Sequence, residues 1–283
     1  MGLAQLSILV QSNNELSIFG VASDHQSRSI RTQQSTFRRS MSRTILITGA
    51  SSGLGLAFLK HYALEDGNSS IVALDASPVP ADTYDTLKSS NVKFIQTDVT
   101  SSAQVASLAA QLCNKPIDLL VHCAGIRGLV PAIVKEKRDV AAAETLDVMD
   151  HLTFTKTFEV NTWGTFNIVT SFLPNLRLSP DAKVAILSSR MGSVSANKAG
   201  GGYAYRASKA ALNAVVKSFV LDVPEITFLL LHPGRVETKL VEWKEEGAVS
   251  PEESLQDCLK VMEGLTKEDS GRLVDRFGVD IPW

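Results

Sequence analysis

The sequence predicts an α/β fold in which helices cover both faces of a doubly wound, mostly parallel β-sheet. From residue 43 onwards, short apolar runs alternate with segments of helix length, and right-handed βαβ units produce this pattern. The apolar runs are continuous and rich in Ile, Val and Leu, as is typical of strands that are buried on both faces.

Six apolar runs are the expected strands, and they lie at residues 44–48, 70–74, 92–96, 117–122, 183–188 and 226–232. The helical segments between them are residues 54–64, 102–113, 158–173 and 205–221. Two segments, 127–157 and 239–270, interrupt this alternation. Each follows a predicted strand, and ligands in open α/β sheets bind beyond the carboxyl ends of the strands. We therefore expect both segments to border a ligand site.

The composition is that of a globular protein with a buried core. The 283 residues are 44% hydrophobic and 20% charged, and the formal net charge of −2 gives no reason to expect a nucleic-acid partner. The longest apolar runs, such as 226–231, are far shorter than the ~20 residues of a membrane span. The three cysteines, Cys113, Cys123 and Cys258, lack the spacing of metal ligands and indicate reduced thiols. We predict no membrane span and no metal site.

The N-terminal segment differs from the rest of the chain. Residues 1–43 contain five arginines, no lysine and two acidic residues, and they are rich in Ser and Gln. This bias predicts either a transit peptide of the mitochondrial type or an unstructured extension. We expect a disordered extension over residues 1–42 and one domain over residues 43–283. The protein is expected to be cytoplasmic, or mitochondrial if the extension is a transit peptide.

A glycine-rich turn connects the first predicted strand to the first predicted helix. It reads Thr48-Gly49-Ala50-Ser51-Ser52-Gly53-Leu54-Gly55. Glycines permit a tight turn whose N–H groups approach a pyrophosphate, and the helix N-terminus adds partial positive charge there. The turn therefore predicts a dinucleotide site that includes Gly49, Ser51, Ser52, Gly53, Leu54 and Gly55.

Acidic residues follow the second and third predicted strands. Asp75 lies twenty residues beyond Gly55, where an acid accepts hydrogen bonds from the adenosine ribose and repels a 2′-phosphate. This position favours NAD(H), with NADP(H) as the alternative; Asp75 otherwise only caps the following turn. Asp98, with Val99 beside it, is a candidate to contact the adenine.

The same turn also matches the G-x-S-x-G motif of serine hydrolases, over residues 49–53. In those enzymes the motif lies well into the sheet, whereas here it follows the first strand. Because no Asp–His pair stands out downstream, we treat the match as a coincidence.

A tyrosine and a lysine lie four residues apart at the start of an apolar helix, as Tyr205 and Lys209. This spacing places both side chains on one face of the helix. A tyrosine hydroxyl titrates near pH 10, and a neighbouring ammonium group favours the phenolate and lowers that pKa. We predict Tyr205 as a general acid/base and Lys209 as its partner.

Further candidate residues follow the other predicted strands. Ser189 comes after the fifth strand, where its hydroxyl is placed to bind a substrate oxygen, and Asn161 is a candidate for a water relay to Lys209. Ala124 and Gly125 are small residues that permit close approach of a cofactor. The loop after the sixth strand is suited to binding a carboxamide through Pro233, Gly234, Val236 and Thr238.

Taken together, these residues resemble the classical short-chain dehydrogenase/reductase family over residues 44–283. By this resemblance, Gly49, Gly53 and Gly55 match the family's TGxxxGxG turn, Ala124 and Gly125 match its NNAG stretch, and Asn161, Ser189, Tyr205 and Lys209 match its catalytic tetrad. The resemblance implies a single Rossmann-type domain with a seven-stranded sheet. It also implies hydride transfer between C4 of the nicotinamide and a small-molecule carbonyl or alcohol.

Segments 188–193 and 203–209, together with the ending 250–283, resemble the C-factor and sniffer-like carbonyl reductases within that family. The resemblance implies a homodimer or homotetramer. It also leaves an alternative open, a dinucleotide-binding regulatory or signalling protein with little catalysis on the same fold.

Two departures from the family pattern stand out. His122-Cys123 replaces the usual Asn-Asn, so we expect a different stabilisation around the fourth strand. Segment 127–157 is longer than usual. Arg127 and Arg190 are either ligands for an acidic substrate or charges at the surface or the cofactor edge.

Overall fold

Seven parallel strands form one sheet in the computed structural model, which describes residues 43–64, 69–87, 91–238, 241 and 246–283. The strands are β1 (Thr44–Thr48), β2 (Ser70–Asp75), β3 (Val92–Gln96), β4 (Leu119–His122), β5 (Lys183–Leu187), β6 (Thr227–His232) and β7 (Leu273–Asp275). Their order is β3-β2-β1-β4-β5-β6-β7, and every neighbouring pair is parallel. The predicted doubly wound, seven-stranded α/β fold is confirmed. The predicted extension over residues 1–42 lies outside the described residues.

The helices of the described residues are α1 (Gly53–Leu64), α2 (Ala81–Leu87), α3 (Ser102–Gln111), α4 (Pro131–Lys137), α5 (His151–Phe158), α6 (Gly164–Leu176), α7 (Tyr203–Asp222) and α8 (Pro251–Glu263). A π-helical turn, Glu159–Trp163, connects α5 to α6. None of these helices has the length and apolar character that crossing a membrane requires.

The strands are apolar at consecutive positions because the sheet is buried on both faces. Neighbouring residues of β1 alternate between two clusters: Leu46 packs into one, and Ile45 and Ile47 pack into the other. The first cluster lies under α3, α6 and α7, and the second lies under α1 and α8. This two-sided burial is the physical origin of the continuous apolar pattern.

The strand order creates a crevice at the carboxyl edge of the sheet. β1 pairs with β2 on one side and with β4 on the other, so the chain winds away from this point in opposite directions. Ligands of doubly wound sheets bind at such a switch point. The glycine-rich turn after β1 and the small residues after β4 therefore lie side by side at the crevice.

Candidate functional site

At two of its glycines, the glycine-rich turn leaves no room for a side chain. Gly49 has a φ of 67°, and a Cβ atom there would lie 2.8 Å from the backbone nitrogen of Ala124. A Cβ atom on Gly55 would overlap the carbonyl group of Gly49. The turn thus forms a narrow backbone cradle in front of the α1 N-terminus, and such a cradle fits a dinucleotide pyrophosphate.

The Asp75 carboxylate ties this turn to the end of β2. Its Oδ2 atom accepts a hydrogen bond from the Ser51 N–H at 2.9 Å, and its Oδ1 atom accepts one from the Ser77 N–H at 2.9 Å. The contact with Ser77 caps the turn that follows β2, and the contact with Ser51 holds the glycine-rich turn. Because each carboxylate oxygen can accept a second hydrogen bond, these contacts leave acceptor capacity for ribose hydroxyls.

Asp98 lies just beyond β3, and its side chain binds the turn that follows. Its Oδ1 atom accepts hydrogen bonds from the N–H and the hydroxyl of Thr100, at 2.9 and 2.8 Å. Burial by itself raises the pKa of Asp98, but these hydrogen bonds and the Lys156 charge together outweigh it and the pKa is lowered. The neighbouring Val99 carbonyl accepts a hydrogen bond from Asn167 at 2.8 Å. Asp98 is therefore a fixed, charged group at the β3 end of the crevice.

The loop after β6 contacts the N-terminus of α1. Thr238 lies so near the turn that a Cβ atom on Gly53 would come within 2.8 Å of its methyl carbon. The start of the loop is anchored by Ser254, whose hydroxyl donates to the Pro233 carbonyl at 2.7 Å. Val236 pairs with Val249 further along the loop, and Gly234 has a φ of 89°. The structure thus brings Thr238, the last of the predicted loop residues, to the glycine-rich turn.

Tyr205 and Lys209 are both buried on the first turns of α7. The Lys209 ammonium nitrogen lies 5.8 Å from the centre of the Tyr205 ring and donates to the Leu187 carbonyl at 2.8 Å. Burial lowers the pKa of Lys209 to about 8. The lysine is therefore positioned beside the ring by the last residue of β5.

The pKa of Tyr205 is raised, in contrast to the sequence expectation. Burial is the largest cause, and the Glu144 charge also raises the pKa. The Arg127 charge and a hydrogen bond with Ser189 act in the opposite direction. The cation that opposes the effect of burial on Tyr205 is therefore Arg127, whereas the sequence predicted Lys209 in this role.

The Ser189 side chain lies near enough to Tyr205 that hydrogen bonding from it lowers the pKa of the tyrosine. Ser189 follows β5, and its Oγ atom also accepts a hydrogen bond from the Met191 N–H at 3.1 Å. The two hydroxyls therefore share one location at the carboxyl end of the sheet. Two neighbouring donors of this kind can bind one carbonyl or alkoxide oxygen.

Asn161, which lies in the π-helical turn, uses its side chain to hold neighbouring segments together. Its amide accepts from the Ile126 N–H at 2.8 Å, donates to the Ile126 carbonyl at 2.9 Å and donates to the Ser208 hydroxyl at 3.0 Å. A Cβ atom on Gly125 would lie 3.1 Å from the Asn161 amide oxygen. Both amide hydrogens are thus occupied, so the Asn161 side chain holds the loop after β4 against α7. The water relay from Asn161 to Lys209 stays a prediction.

His122 connects β4 to β1 and α6 in the place of the family's asparagine. Its Nδ1 atom lies 2.9 Å from the Thr48 hydroxyl, and its Nε2 atom lies 2.9 Å from the Thr165 hydroxyl. The single Thr165 hydroxyl hydrogen is donated to the backbone carbonyl of Asn161 at 2.9 Å, so Thr165 can only accept from His122. The imidazole proton is therefore on Nε2, and Thr48 donates to Nδ1. Burial, together with the Lys209 charge, lowers the pKa of His122 to about 3, which keeps the imidazole neutral.

The sequence analysis missed two residues that the structure brings close to Tyr205. They are Glu144 and Arg127, whose charges act on the pKa of the tyrosine. Arg127 was considered only as a ligand or a surface charge, and nothing in the sequence pointed to Glu144. Among the described residues, no group of three or more His, Cys, Asp or Glu side chains is placed to hold a metal ion.

Comparison with known proteins identifies the family. The model of the short chain dehydrogenase family matches residues 43–248. The chain belongs to the short-chain dehydrogenase family. Its members are oxidoreductases that use a nicotinamide dinucleotide, and the backbone cradle described above fits such a cofactor.

Two curated relatives match this short-chain dehydrogenase over most of their own length. The C-signal protein of Myxococcus xanthus is 37% identical over 179 residues, which are 62% of this chain and 99% of the relative. The 1-hydroxy-2-glutathionyl-2-methyl-3-butene dehydrogenase of Rhodococcus sp. strain AD45 is 34% identical over 192 residues, which are 66% of this chain and 78% of the relative.

Solved structures support the same family assignment. The NADPH-bound carbonyl reductase from chicken fatty liver is 28% identical, with a TM-score of 0.73 over 86% of this chain and 99% of the other. The carbonyl reductase Sniffer of D. melanogaster, at 24% identity, shows the same fold with a TM-score of 0.73 over 86% of this chain and 100% of the other. The predicted likeness to the C-factor and carbonyl reductase group is therefore confirmed.

Proposed function

We propose that this short-chain dehydrogenase interconverts a small carbonyl compound and its alcohol, with Tyr205 as the general acid/base. The observation that carries the proposal is the placement of the buried Tyr205 beside Ser189, with the Lys209 ammonium nitrogen 5.8 Å from the centre of its ring. It gives two donors for one substrate oxygen at the carboxyl edge of the sheet, next to the glycine-rich turn. A chain that only sensed a dinucleotide would not need this pair.

The protein's own residues supply the binding and the proton transfer. In the reductive direction, Ser189 and Tyr205 donate hydrogen bonds to the carbonyl oxygen, and Tyr205 then transfers its proton to that oxygen. The raised pKa of Tyr205 keeps the hydroxyl protonated before the reaction, as an acid requires. The positive charge of Arg127 stabilises the resulting phenolate, and the Lys209 ammonium nitrogen lies 5.8 Å from the centre of the ring. A bound nicotinamide supplies the hydride to the carbonyl carbon, or accepts it from the alcohol.

The cofactor is held by the glycine-rich turn, Asp75, Asp98, the residues after β4 and the loop after β6. We propose that NAD(H) is preferred, because Asp75 places a carboxylate at the end of β2 where a ribose 2′-phosphate would meet a like charge. The carbonyl reductase from chicken liver is bound to NADPH, so NADP(H) is the competing outcome. Separate titrations with NADH and NADPH decide between them.

The substrate is expected to be an uncharged carbonyl compound or alcohol. The two arginines that the sequence offered as ligands for an acidic substrate both have carboxylate partners within the protein. Arg127 pairs with Glu144 at 2.8 Å, and Arg190 pairs with Asp275 at 3.3 Å. Neither pairing favours an acidic substrate.

The proposal is tested by mixing the purified full-length protein with NADH or NADPH and a panel of aldehydes, ketones and quinones. Oxidation of the cofactor with at least one panel member, absent in the Tyr205→Phe variant, is the expected result. Equal oxidation by both proteins would contradict the assignment of Tyr205.

A second candidate function is that of a dinucleotide-binding regulatory or signalling protein with little catalysis. The observation that favours it is the 37% identity with a protein named C-signal. It predicts that the protein binds NADH or NADPH in the titration and oxidises neither with any panel member. Binding accompanied by turnover argues against it.

A further inference from the structure

An ion pair outside the predicted tetrad lies against Tyr205. The Nε and Nη2 atoms of Arg127 donate to the two carboxylate oxygens of Glu144 at 2.9 and 2.8 Å. The side chains are 20% and 11% exposed, so the pair is largely removed from solvent. Two parallel hydrogen bonds fix the plane of the guanidinium group, which a single contact would not do.

The fixed guanidinium group stacks on the tyrosine ring. The central carbon of the Arg127 guanidinium lies 4.8 Å from the centre of the Tyr205 ring, within the range of cation–π contacts. The Lys209 ammonium lies further away, at 5.8 Å from the same centre. Arg127 is thus the closer of these two cations to the ring.

Glu144 is itself held in place by the chain that leads into α7. Its carbonyl oxygen accepts a hydrogen bond from the N–H of Gly202 at 3.0 Å, and Gly202 directly precedes α7. The preceding residue, Ala143, is buried and its carbonyl accepts from the Val130 N–H at 3.0 Å. Segment 127–157 therefore delivers a carboxylate of fixed position to the helix that carries Tyr205.

We propose that Arg127 and Glu144 are a positioning pair that orients the Tyr205 ring and sets the electrostatic environment of its hydroxyl. The proposal rests on the acid–base role proposed for Tyr205. It gives segment 127–157, which is longer than the family's usual connection, a specific task at the active site.

The two charges act on Tyr205 in opposite directions. The charged groups around the ring are Arg127, Glu144 and Lys209, and Ser189 is its hydrogen-bonding neighbour. The positive charge of Arg127 lowers the pKa of Tyr205, and the negative charge of Glu144 raises it. Removing each charge separately should therefore move the pKa of Tyr205 in opposite directions, which provides a test of the proposal.

The test measures kcat/KM against pH for alcohol oxidation, where Tyr205 acts as a base and the rising limb reports its pKa in the free enzyme. Arg127→Met is expected to move the limb to higher pH, and Glu144→Gln is expected to move it to lower pH, each by about one unit. Arg127→Lys keeps the charge and loses the paired contact, so its limb should lie between those of the wild type and Arg127→Met. Shifts in the same direction, or no shift in either variant, would overturn the proposal.

Two controls separate this proposal from the function on which it rests. The Tyr205→Phe variant should lack both turnover and the limb, and if it keeps them, the proposed function fails and not only the positioning pair. The ultraviolet absorbance of the phenolate, measured as the difference between each protein and its Tyr205→Phe counterpart, follows the same pKa without turnover. If Glu144→Gln does not fold, the pKa of Tyr205 in the wild type, Arg127→Lys and Arg127→Met is compared in that titration. Their order still shows whether the Arg127 charge lowers this pKa.

Discussion

The neutral, buried His122 should make the protein sensitive to mild acid. Its pKa falls from 6.5, the ordinary value for histidine, to about 3 in the folded protein. The unfolded chain therefore binds a proton below pH 6.5 that the folded chain does not bind until about pH 3. The resulting stability is fully present above pH 6.5 and is lost as the pH falls through this window.

The expected loss follows from the width of the window. At pH 5 the unfolded chain has passed its histidine pKa by 1.5 units, taking the ordinary value of 6.5, and each unit is worth about 1.4 kcal/mol. His122 alone should therefore cost about 2 kcal/mol of unfolding free energy between pH 7.5 and pH 5. Replacing His122 with Asn removes the titrating group while keeping a polar side chain of the kind that the family uses.

Urea denaturation of the wild type and His122→Asn at pH 7.5, 6 and 5 measures this effect. The variant is expected to be less stable than the wild type at pH 7.5, because hydrogen bonds to Thr48 and Thr165 are weakened. The difference should shrink by about 2 kcal/mol at pH 5. His151→Asn, at the exposed first residue of α5, is the matched control and should leave the pH dependence unchanged. Parallel pH profiles for the wild type and His122→Asn would refute the reasoning.

Two further predictions concern the cofactor and the substrate oxygen. Asp75→Asn removes the charge at the end of β2, so the ratio of the NADPH and NADH dissociation constants should fall about tenfold or more, as measured by fluorescence titration; an unchanged ratio would exclude a role for this charge. Ser189→Ala removes one of the two donors to the substrate oxygen, so kcat should fall about 100-fold while cofactor binding is kept; full activity in steady-state assays would remove Ser189 from the mechanism.

Most of the sheet could be predicted from the sequence because burial on both faces leaves a strong apolar signal in β1, β2, β4, β5 and β6. Strand β7 has only three residues, Leu273–Asp275, which is too short for such a pattern to be recognised. Helix α8 and most of α5 lie in segments that were predicted as irregular. Both helices begin with a side-chain cap, Ser250 for α8 and Asp150 for α5, and these capping signals were available in the sequence.

The candidate site was predictable only where its members are close in sequence or follow a strand. Tyr205 and Lys209 lie one helical turn apart, and the glycine-rich turn is continuous. Arg127 and Glu144 are 17 residues apart across a segment whose path the sequence does not specify. The unusual His122 was noticed, but Thr48 is 74 residues away from it, so its hydrogen-bond partner emerges only from the folded sheet.

The oligomeric state and the cellular location remain predictions. The family resemblance implies that helices such as the one over residues 158–173 form the dimer or tetramer contact. This segment also packs through Ile168 and Phe172 into the protein's own core. The arginine-rich segment that bears on mitochondrial import lies almost wholly outside the described residues.

The most direct test of the central claim is the turnover of Tyr205→Phe with cofactor binding measured on the same sample. Phe keeps the ring that stacks under Arg127 and removes only the hydroxyl group. We predict that the dissociation constant for NADH stays within about twofold, and that kcat falls by a factor of about 100 to 10,000. Turnover equal to that of the wild type, with the cofactor bound, would contradict the assignment of Tyr205 as the group that transfers the proton.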